Sequence, residues 1–417
     1  MKKAYKFTKS FELWGEAKKY IPGGSQATRQ PEYPDYPIFF DHAKGCRMWD
    51  VDGNEFIDFL CSIGPVILGY AYKPVDDAVR EIMRKSFQSS MNPPIMIDVA
   101  KLLTEMVPCA DGVRFMKTGT EATLMAVRLA RHITGRMHIA RHGYHGWADI
   151  FIGHWNKRGA DKDASDKTHP FDGTSEGLDK LLTESKEKFA AVILCPTDAR
   201  PFTSENYQGI LDVAHQHGAL VIFDEIKSGF RIAPGGAQEY LGVTPDITTM
   251  SKGIANGYPL SAIMGKSEYI KDLPEAGIAG TFSVEGISLA AALATLTEIR
   301  GKDVVKHLYA MGQRFIDGLN DICRRHGMHA AHAYGDPVPS MPRLQWRPGS
   351  VTGGAQHIKD EDFNFFFSEL YRHGLLFSGW HVGFINFSHQ AKDIDEALDI
   401  CDFAMARTRE KFGEIKK

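Results

Sequence analysis

The sequence predicts an α/β protein with two parts: a large domain holding a mostly parallel sheet between helices, and a smaller α+β domain. Three observations carry this. From about residue 75, short apolar runs alternate with longer stretches of helical period, the pattern of βαβ units. Before them, "FFDHAKGCRMWDVDGNEFIDF" alternates apolar and polar residues around an Asp-Gly turn, as a hairpin or meander does. After them, the last hundred residues mix strand-like and helix-like segments. At roughly 150 residues per domain, 417 residues suit two or three domains. The expected division is an N-terminal segment 1–70 packing with the small domain, a large domain 71–300, and a C-terminal small domain 301–417.

In chain order, Phe7–Tyr20 reads as a short amphipathic helix stopped by "IPGG". The meander follows. The alternating region then gives strands "VRFMK", "AAVILCP", "ALVIFDE", "DITTMS" and "LSAIMG". Between and after them run helices "EATLMAVRLARHI", "NYQGILDVAHQHG", "SLAAALATLTEI" and "VVKHLYAMGQRFIDGLNDICRRHG". The C-terminal part adds strands "PRLQW", "GLLFS" and "GFINFS" and helices "DEDFNFFFSELYRHG" and "DEALDICDFAMARTREKF". Neither the meander nor this last part has enough apolar surface to stand alone, so the two are expected to pack together.

Composition narrows the function. The chain is 43% hydrophobic and 24% charged, with a net charge of −3 and no long block of like charge, which argues against nucleic-acid and membrane-surface binding. No stretch approaches the roughly 20 apolar residues of a membrane helix, and the lysine-bearing N-terminus lacks the apolar core of a signal peptide. The six cysteines are scattered without a Cys-x-x-Cys pair, which speaks against zinc and for a reducing, cytoplasmic setting. His326, His329 and His332 recur at every third residue, but at a helix end, and are expected to be solvated rather than metal ligands; no metal site is expected.

In open α/β sheets, ligands bind beyond the carboxyl ends of the strands. Three such ends carry unusual residues. Thr118-Gly119-Thr120 links a strand to a helix, where free N–H groups and hydroxyls can cradle an anion; an ordinary capped turn would look the same. Asp224 and Glu225 end a strongly apolar strand, where a carboxylate is costly unless paired, capped or ion-bonded, for example to Arg231. Lys252 stands at the mouth of "DITTMS"; partly desolvated, its amine would be a carbonyl nucleophile, although a lone lysine there is usually a surface residue. Together, a phosphate cradle, a carboxylate and a nucleophilic lysine are what pyridoxal phosphate needs: the lysine bonds its aldehyde and the carboxylate keeps its ring nitrogen protonated.

At these motifs the chain resembles the class III pyridoxal-phosphate aminotransferases of fold type I, and the glutamate-1-semialdehyde aminomutase branch among them. "FMKTGTEATLMAVRLAR", "RHGYHGW", "LVIFDEIKSGFR", "GVTPDITTMSKGIANGYPLSAIMG" and "GTFS" are similar to the family's signature segments over nearly the whole chain. The resemblance implies a large domain built on a seven-stranded sheet. It implies Lys252 as the Schiff-base lysine, Asp224 at the ring nitrogen, and Tyr144 and Ile226 on the two ring faces. Thr118, Gly119 and Thr120 would hold the phosphate, His145 would pack near the cofactor, and Lys227 would stand near the ring hydroxyl. Thr281 would complete the site of a neighbouring subunit, so the protein would act as a homodimer. Arg29 would bind a substrate carboxylate. The implied activity moves an amino group from an amino donor to an aldehyde or ketone by a ping-pong route; an isomerase, either aminomutase or epimerase, is the alternative.

The chain departs from the family in three places. "VEGIS" replaces a Gly-Asn-Pro segment after "GTFS", Cys195 stands before Pro196 where many relatives have glutamate, and "FSGWHVGFINFSH" has no arginine. Recognition of glutamate by the usual glutamate–arginine device is therefore not expected. Arg200, Trp380 and His381 are the residues that could line a different substrate pocket.

Overall fold

The computed structural model describes residues 4–25, 39–85, 87–152, 159–347 and 360–414. By its internal contacts the chain forms two compact units, one of Met1–Tyr72 with Lys306–Lys417 and one of Lys73–Val305.

The first unit begins with the helix Thr8–Ala17 and the meander β1 (Phe40–Lys44), β2 (Arg47–Asp50) and β3 (Glu55–Asp58). The turn between β2 and β3 is closed by Asp50, which accepts from the N–H groups of Asp52 and Asn54, and by Gly53 at φ 83°, a left-handed conformation that glycine adopts without strain.

The second unit carries strands β4 (Gly112–Met116), β5 (His138–His142), β6 (Thr168–Pro170), β7 (Phe189–Leu194), β8 (Leu220–Asp224), β9 (Ile247–Met250) and β10 (Ser261–Gly265). They form one seven-stranded sheet in the order β4-β10-β9-β8-β7-β5-β6, with only β10 antiparallel to its neighbours. The fold is thus α/β with a mostly parallel sheet. β5 and β6 are additions to the sequence reading. The first carries two histidines and an arginine, and the second has three residues, so neither shows a strand's apolar pattern. Helices cover the sheet. Met125, Val127 and Leu129 of the helix Gly119–Thr134 pack with Ile139, Ile193, Ile222, Ile247 and Ile263, all buried. Each such side chain contributes about 1.5–3 kcal/mol on leaving water.

The chain returns to the first unit through β11 (His332–Gly335), β12 (Pro342–Gln345) and β13 (Leu375–Leu376). β13 pairs in parallel with β3, through Leu375↔Ile57 and Leu376↔Asp58, so the C-terminal segment extends the N-terminal meander. The expected strand "GFINFS" does not form. Its N–H groups go to three different segments, Phe384 to Phe59 O, Ile385 to Ser340 O and Phe387 to Ile67 O, so no single neighbour supplies a ladder. The histidine triplet binds nothing in common. His326 pairs with Asp402 and His332 stacks on Tyr334, and no metal-binding cluster is found among the described residues.

Candidate active site

Register puts the three chemistry-bearing strand ends in one row. Met116 lies opposite Ser261, Ala262 opposite Met250, and Thr249 opposite Asp224. The exits of β4, β9 and β8 therefore lie at one edge of the sheet, with the start of antiparallel β10 between the first two, at the edge where an α/β fold leaves its crevice.

At the β4 exit, Thr118 caps the helix Gly119–Thr134. Its hydroxyl accepts from Glu121 N–H at 3.3 Å, and the Glu121 carboxylate accepts from Thr118 N–H at 2.7 Å, a reciprocal capping box. The Thr118 hydroxyl is therefore committed to the cap. The next two N–H groups, of Gly119 and Thr120, have no partner among the described residues and open on a sixteen-residue helix whose dipole favours an anion. Gly119 is required by close approach, since a Cβ there would lie 2.7 Å from Ile226 Cδ1. Gly146 plays the same part for Thr120, whose side chain a Cβ at 146 would overlap, and its φ of 112° suits glycine besides. Ser261 Oγ donates to Thr118 O at 2.8 Å. These contacts lock the "TGT", "YHG" and "DEIK" loops together.

At the β8 exit, Asp224 is buried. Its Oδ2 pairs with His145 Nδ1 at 2.7 Å, and its Oδ1 accepts from Ile226 N–H at 3.1 Å. His145 is held in turn by its own carbonyl, which accepts from Thr123 Oγ1 at 2.7 Å, while its Nε2 is buried without a partner among the described residues. Such an orphan costs about 1–3 kcal/mol unless a ligand satisfies it. Tyr144, half exposed, sits beside them, its phenol pushed upward by burial and by the Asp224 charge. The adjacent Glu225 serves the scaffold. It accepts from the N–H groups of Ala237 and Gln238 and from Ser228 Oγ, rather than acting in the crevice.

At the β9 exit, Lys252 adopts φ 38°, a left-handed conformation that strains a residue with a side chain by about 1–3 kcal/mol. Its amine forms no hydrogen bond or ion pair among the described residues. Burial, reinforced by the Lys227 charge, holds it down to about 8, against a partial upward pull from Cys195 and Asp224.

Of the remaining sequence-based candidates, Ile226 lies under Gly119, and Lys227 is paired through Nζ to Asp198 Oδ1 at 2.7 Å. Thr281 is exposed, with its carbonyl accepting from Gln88 Nε2 at 3.1 Å. Arg29 lies outside the described residues. Arg200 Nη1 donates to the carbonyls of Thr197 and Ala199.

Three residues escaped the sequence reading. Asp198 follows the apolar strand "AAVILC" much as Asp224 and its neighbours follow "ALVIF", and that position was its signal. Lys117 and Glu285 form an ion pair at 2.7 Å, and Glu285 also caps the helix Gly286–Gly301 by accepting from Ile287 and Ser288 N–H. This accounts for the "VEGIS" departure: the glutamate is a cap tied to the cradle strand. Burial outweighs the pairing at Lys117 and lowers its amine, whereas at Glu285 the Lys117 and Ser288 contacts win and lower the carboxyl.

The family model for class III aminotransferases matches residues 28–335. The chain belongs to the class III aminotransferase family. The 3-aminobutyryl-CoA aminotransferase of Cloacimonas acidaminovorans is 33% identical over 430 residues, covering 100% of both chains. The glutamate-1-semialdehyde 2,1-aminomutase of Methanosphaera stadtmanae is 34% identical over 96% of this chain and 99% of its own. Among solved structures, a PLP form of the FumI protein of Sphingopyxis sp. MTA144 superposes with a TM-score of 0.89 at 26% identity, covering 98% of each chain. An omega-transaminase from Sphaerobacter thermophilus does so with a TM-score of 0.86 at 25% identity, covering 96% of this chain and 98% of its own.

This class III enzyme is thus a PLP-dependent aminotransferase of fold type I. Its residues fit that cofactor: two helix N–H groups and an amine without partners among the described residues suit a phosphate and an aldehyde, and a buried carboxylate suits a protonated ring nitrogen.

Proposed function

We propose that the row formed by Gly119, Thr120, Asp224 and Lys252 is the catalytic centre at which this aminotransferase moves an amino group from an amino donor to an aldehyde or ketone. The observation that carries the reading is the Lys252 amine: partly buried, without a partner among the described residues and held near 8, at the exit of the strand next to the one that ends in Asp224. When bound, PLP supplies an electron sink for the carbon that loses its proton. Gly119 and Thr120 N–H groups, with the Thr120 hydroxyl, hold the phosphate, and the Thr118 hydroxyl orients the cradle through its cap. Asp224, kept in place by His145, holds the ring nitrogen, while Ile226 and Tyr144 flank the ring and Lys227 stands at its hydroxyl edge. Lys252 Nζ takes the proton from the substrate carbon and returns it one position away, which an amine near 8 can do in both directions at neutral pH.

The likeness to the 3-aminobutyryl-CoA aminotransferase along the whole chain supports a substrate aminated at the carbon β to an acyl group. Cys195 in place of a glutamate argues in the same direction, away from ordinary dicarboxylates. Thr281 is assigned to the neighbouring site of a homodimer, consistent with its exposure beside the 60%-exposed Phe282. Arg29 is assigned to a substrate carboxylate. The six free, buried cysteines support a reducing, cytoplasmic setting.

The test is visible absorption of purified protein with PLP, followed by amino donors added singly. Bleaching of the band as a carbonyl product forms supports the reading; no band in the presence of PLP overturns it. Isomerisation of one substrate without a partner would favour the aminomutase alternative, for which the Methanosphaera relative speaks.

A further inference from the structure

The exits of β7, β8 and β9 bring a second lysine to the catalytic row. Leu194 lies opposite Phe223, and Asp224 opposite Thr249. Lys227 and Lys252 each stand three residues beyond that second pair, so the two amines leave the same edge on adjacent strands. Asp198, four residues past Leu194, comes from the strand on the other side and takes Lys227 Nζ at 2.7 Å. The clamp is built: the side chains are 16% and 33% exposed, and Asp198 also accepts from Thr197 Oγ1 at 3.0 Å. Lys227 is thereby ion-paired at the strand exit next to that of Lys252, whose amine must lose its own proton to work.

We propose that Lys227, clamped by Asp198, is a positioning residue whose fixed positive charge keeps the nitrogen of Lys252 in its unprotonated, reactive form. The inference rests on the reading of Lys252 given above. The other charged or titratable groups acting on Lys252 include Cys195 after β7, Asp224 at the end of β8 and Arg231 beyond it, and the Asp198 carboxylate that holds Lys227 brings an opposing charge of its own. Arg231 acts in the same sense as Lys227; Asp224 and Cys195 oppose it. Lys227 is the largest like charge, second only to burial, and Asp198, held well below the usual carboxylate range chiefly by Lys227, stays ionised to hold it.

The experiment is a pH titration of the visible band of the PLP-loaded protein in wild type, Lys227→Met and Lys227→Arg, with melting temperature followed in parallel. A neighbouring cation removed from a partly buried site changes proton affinity by about tenfold. Lys227→Met should raise the midpoint by about one pH unit, and Lys227→Arg should restore it. A merely structural role would shift the melting temperature and leave the midpoint alone. An unchanged midpoint in Lys227→Met, or an equal shift in Lys227→Arg, overturns the proposal. Because Lys227 also stands at the ring hydroxyl edge, the free amine of the apoprotein is titrated in parallel, and that arm decides the inference even if wild type forms no band with PLP and the functional reading fails. Acetic anhydride labelling at pH 7 is then read by mass spectrometry on the Lys252 peptide. Labelling about tenfold slower in Lys227→Met supports the inference; equal rates overturn it.

Discussion

The two edges of the seven-stranded sheet treat charge in opposite ways. At the edge where β9 begins, Asp246 has no exposed side-chain surface, yet every oxygen is used: His215 and Val221 N–H meet Oδ2 at 2.8 Å, and Lys266 meets Oδ1 at 2.7 Å. Nearby, Arg136 Nη1 donates to the carbonyls of Phe189, His217 and Gly218. At the opposite edge, among the described residues, the Gly119 and Thr120 N–H groups, His145 Nε2 and the Lys252 amine have no partner. Burial alone does not separate a scaffold from a site. What separates the Asp246 carboxylate from the catalytic row is that the chain itself meets both of its oxygens. The Asp246 pairings hold the fold, and the catalytic row carries the polar groups that suit a ligand.

Substitutions at the two edges should therefore fail in different assays. The largest effect is expected for Lys252→Ala, which removes the group that carries the proton. Turnover should fall by at least about 10⁴-fold with the far-ultraviolet spectrum unchanged; a variant retaining a tenth of wild-type rate would break the comparison. Asp224→Asn should lower turnover by about 10³-fold while unfolding free energy shifts by less than about 1.5 kcal/mol, because the amide can still accept from Ile226 N–H. Asp246→Asn should do the reverse. Urea unfolding should show a loss of about 2 kcal/mol, moderated by the partial exposure of Lys266 and His215, with rate per folded molecule intact.

The catalytic row should also reveal its cost through pH. The Lys252 amine sits at about 8 in the folded chain and near 10.5 in the unfolded one, so between those values the unfolded state binds more protons. Stability of the apoprotein therefore rises with pH across that window, and below about 8 the full penalty is present. Lys252→Met should be more stable than wild type by up to about 3 kcal/mol at pH 7, with the gain fading as pH approaches 10.5. Melting temperatures at pH 7 and pH 10 decide it; a constant difference would mean that strain or packing, not charge, is responsible. The smallest effect is expected for Lys117→Met. It breaks the tie to Glu285 and should lower stability by about 1 kcal/mol and weaken PLP binding a few-fold, as read by fluorescence titration.

The order of strands and helices in the large unit was legible because its buried strands are continuous apolar runs and its helices keep their period. Lys252, Asp224 and the Thr118–Thr120 loop were legible because polar residues and glycine at the end of an apolar strand are costly without a purpose, and because their motifs resemble a family. β5 and β6 were not, since their polar side chains break the pattern that burial would otherwise impose, and "GFINFS" misled because apolar residues need one continuous neighbour to become a strand. Which charge answers which other charge was decided by the tertiary structure alone. Asp198 meets Lys227 across 29 positions, and Lys117 meets Glu285 across 168. The sequence determines what each segment prefers locally, because propensity and periodicity are short-range. Pairings such as these exist only once the sheet's register has brought separate strand ends to one edge, where low dielectric makes each partner count.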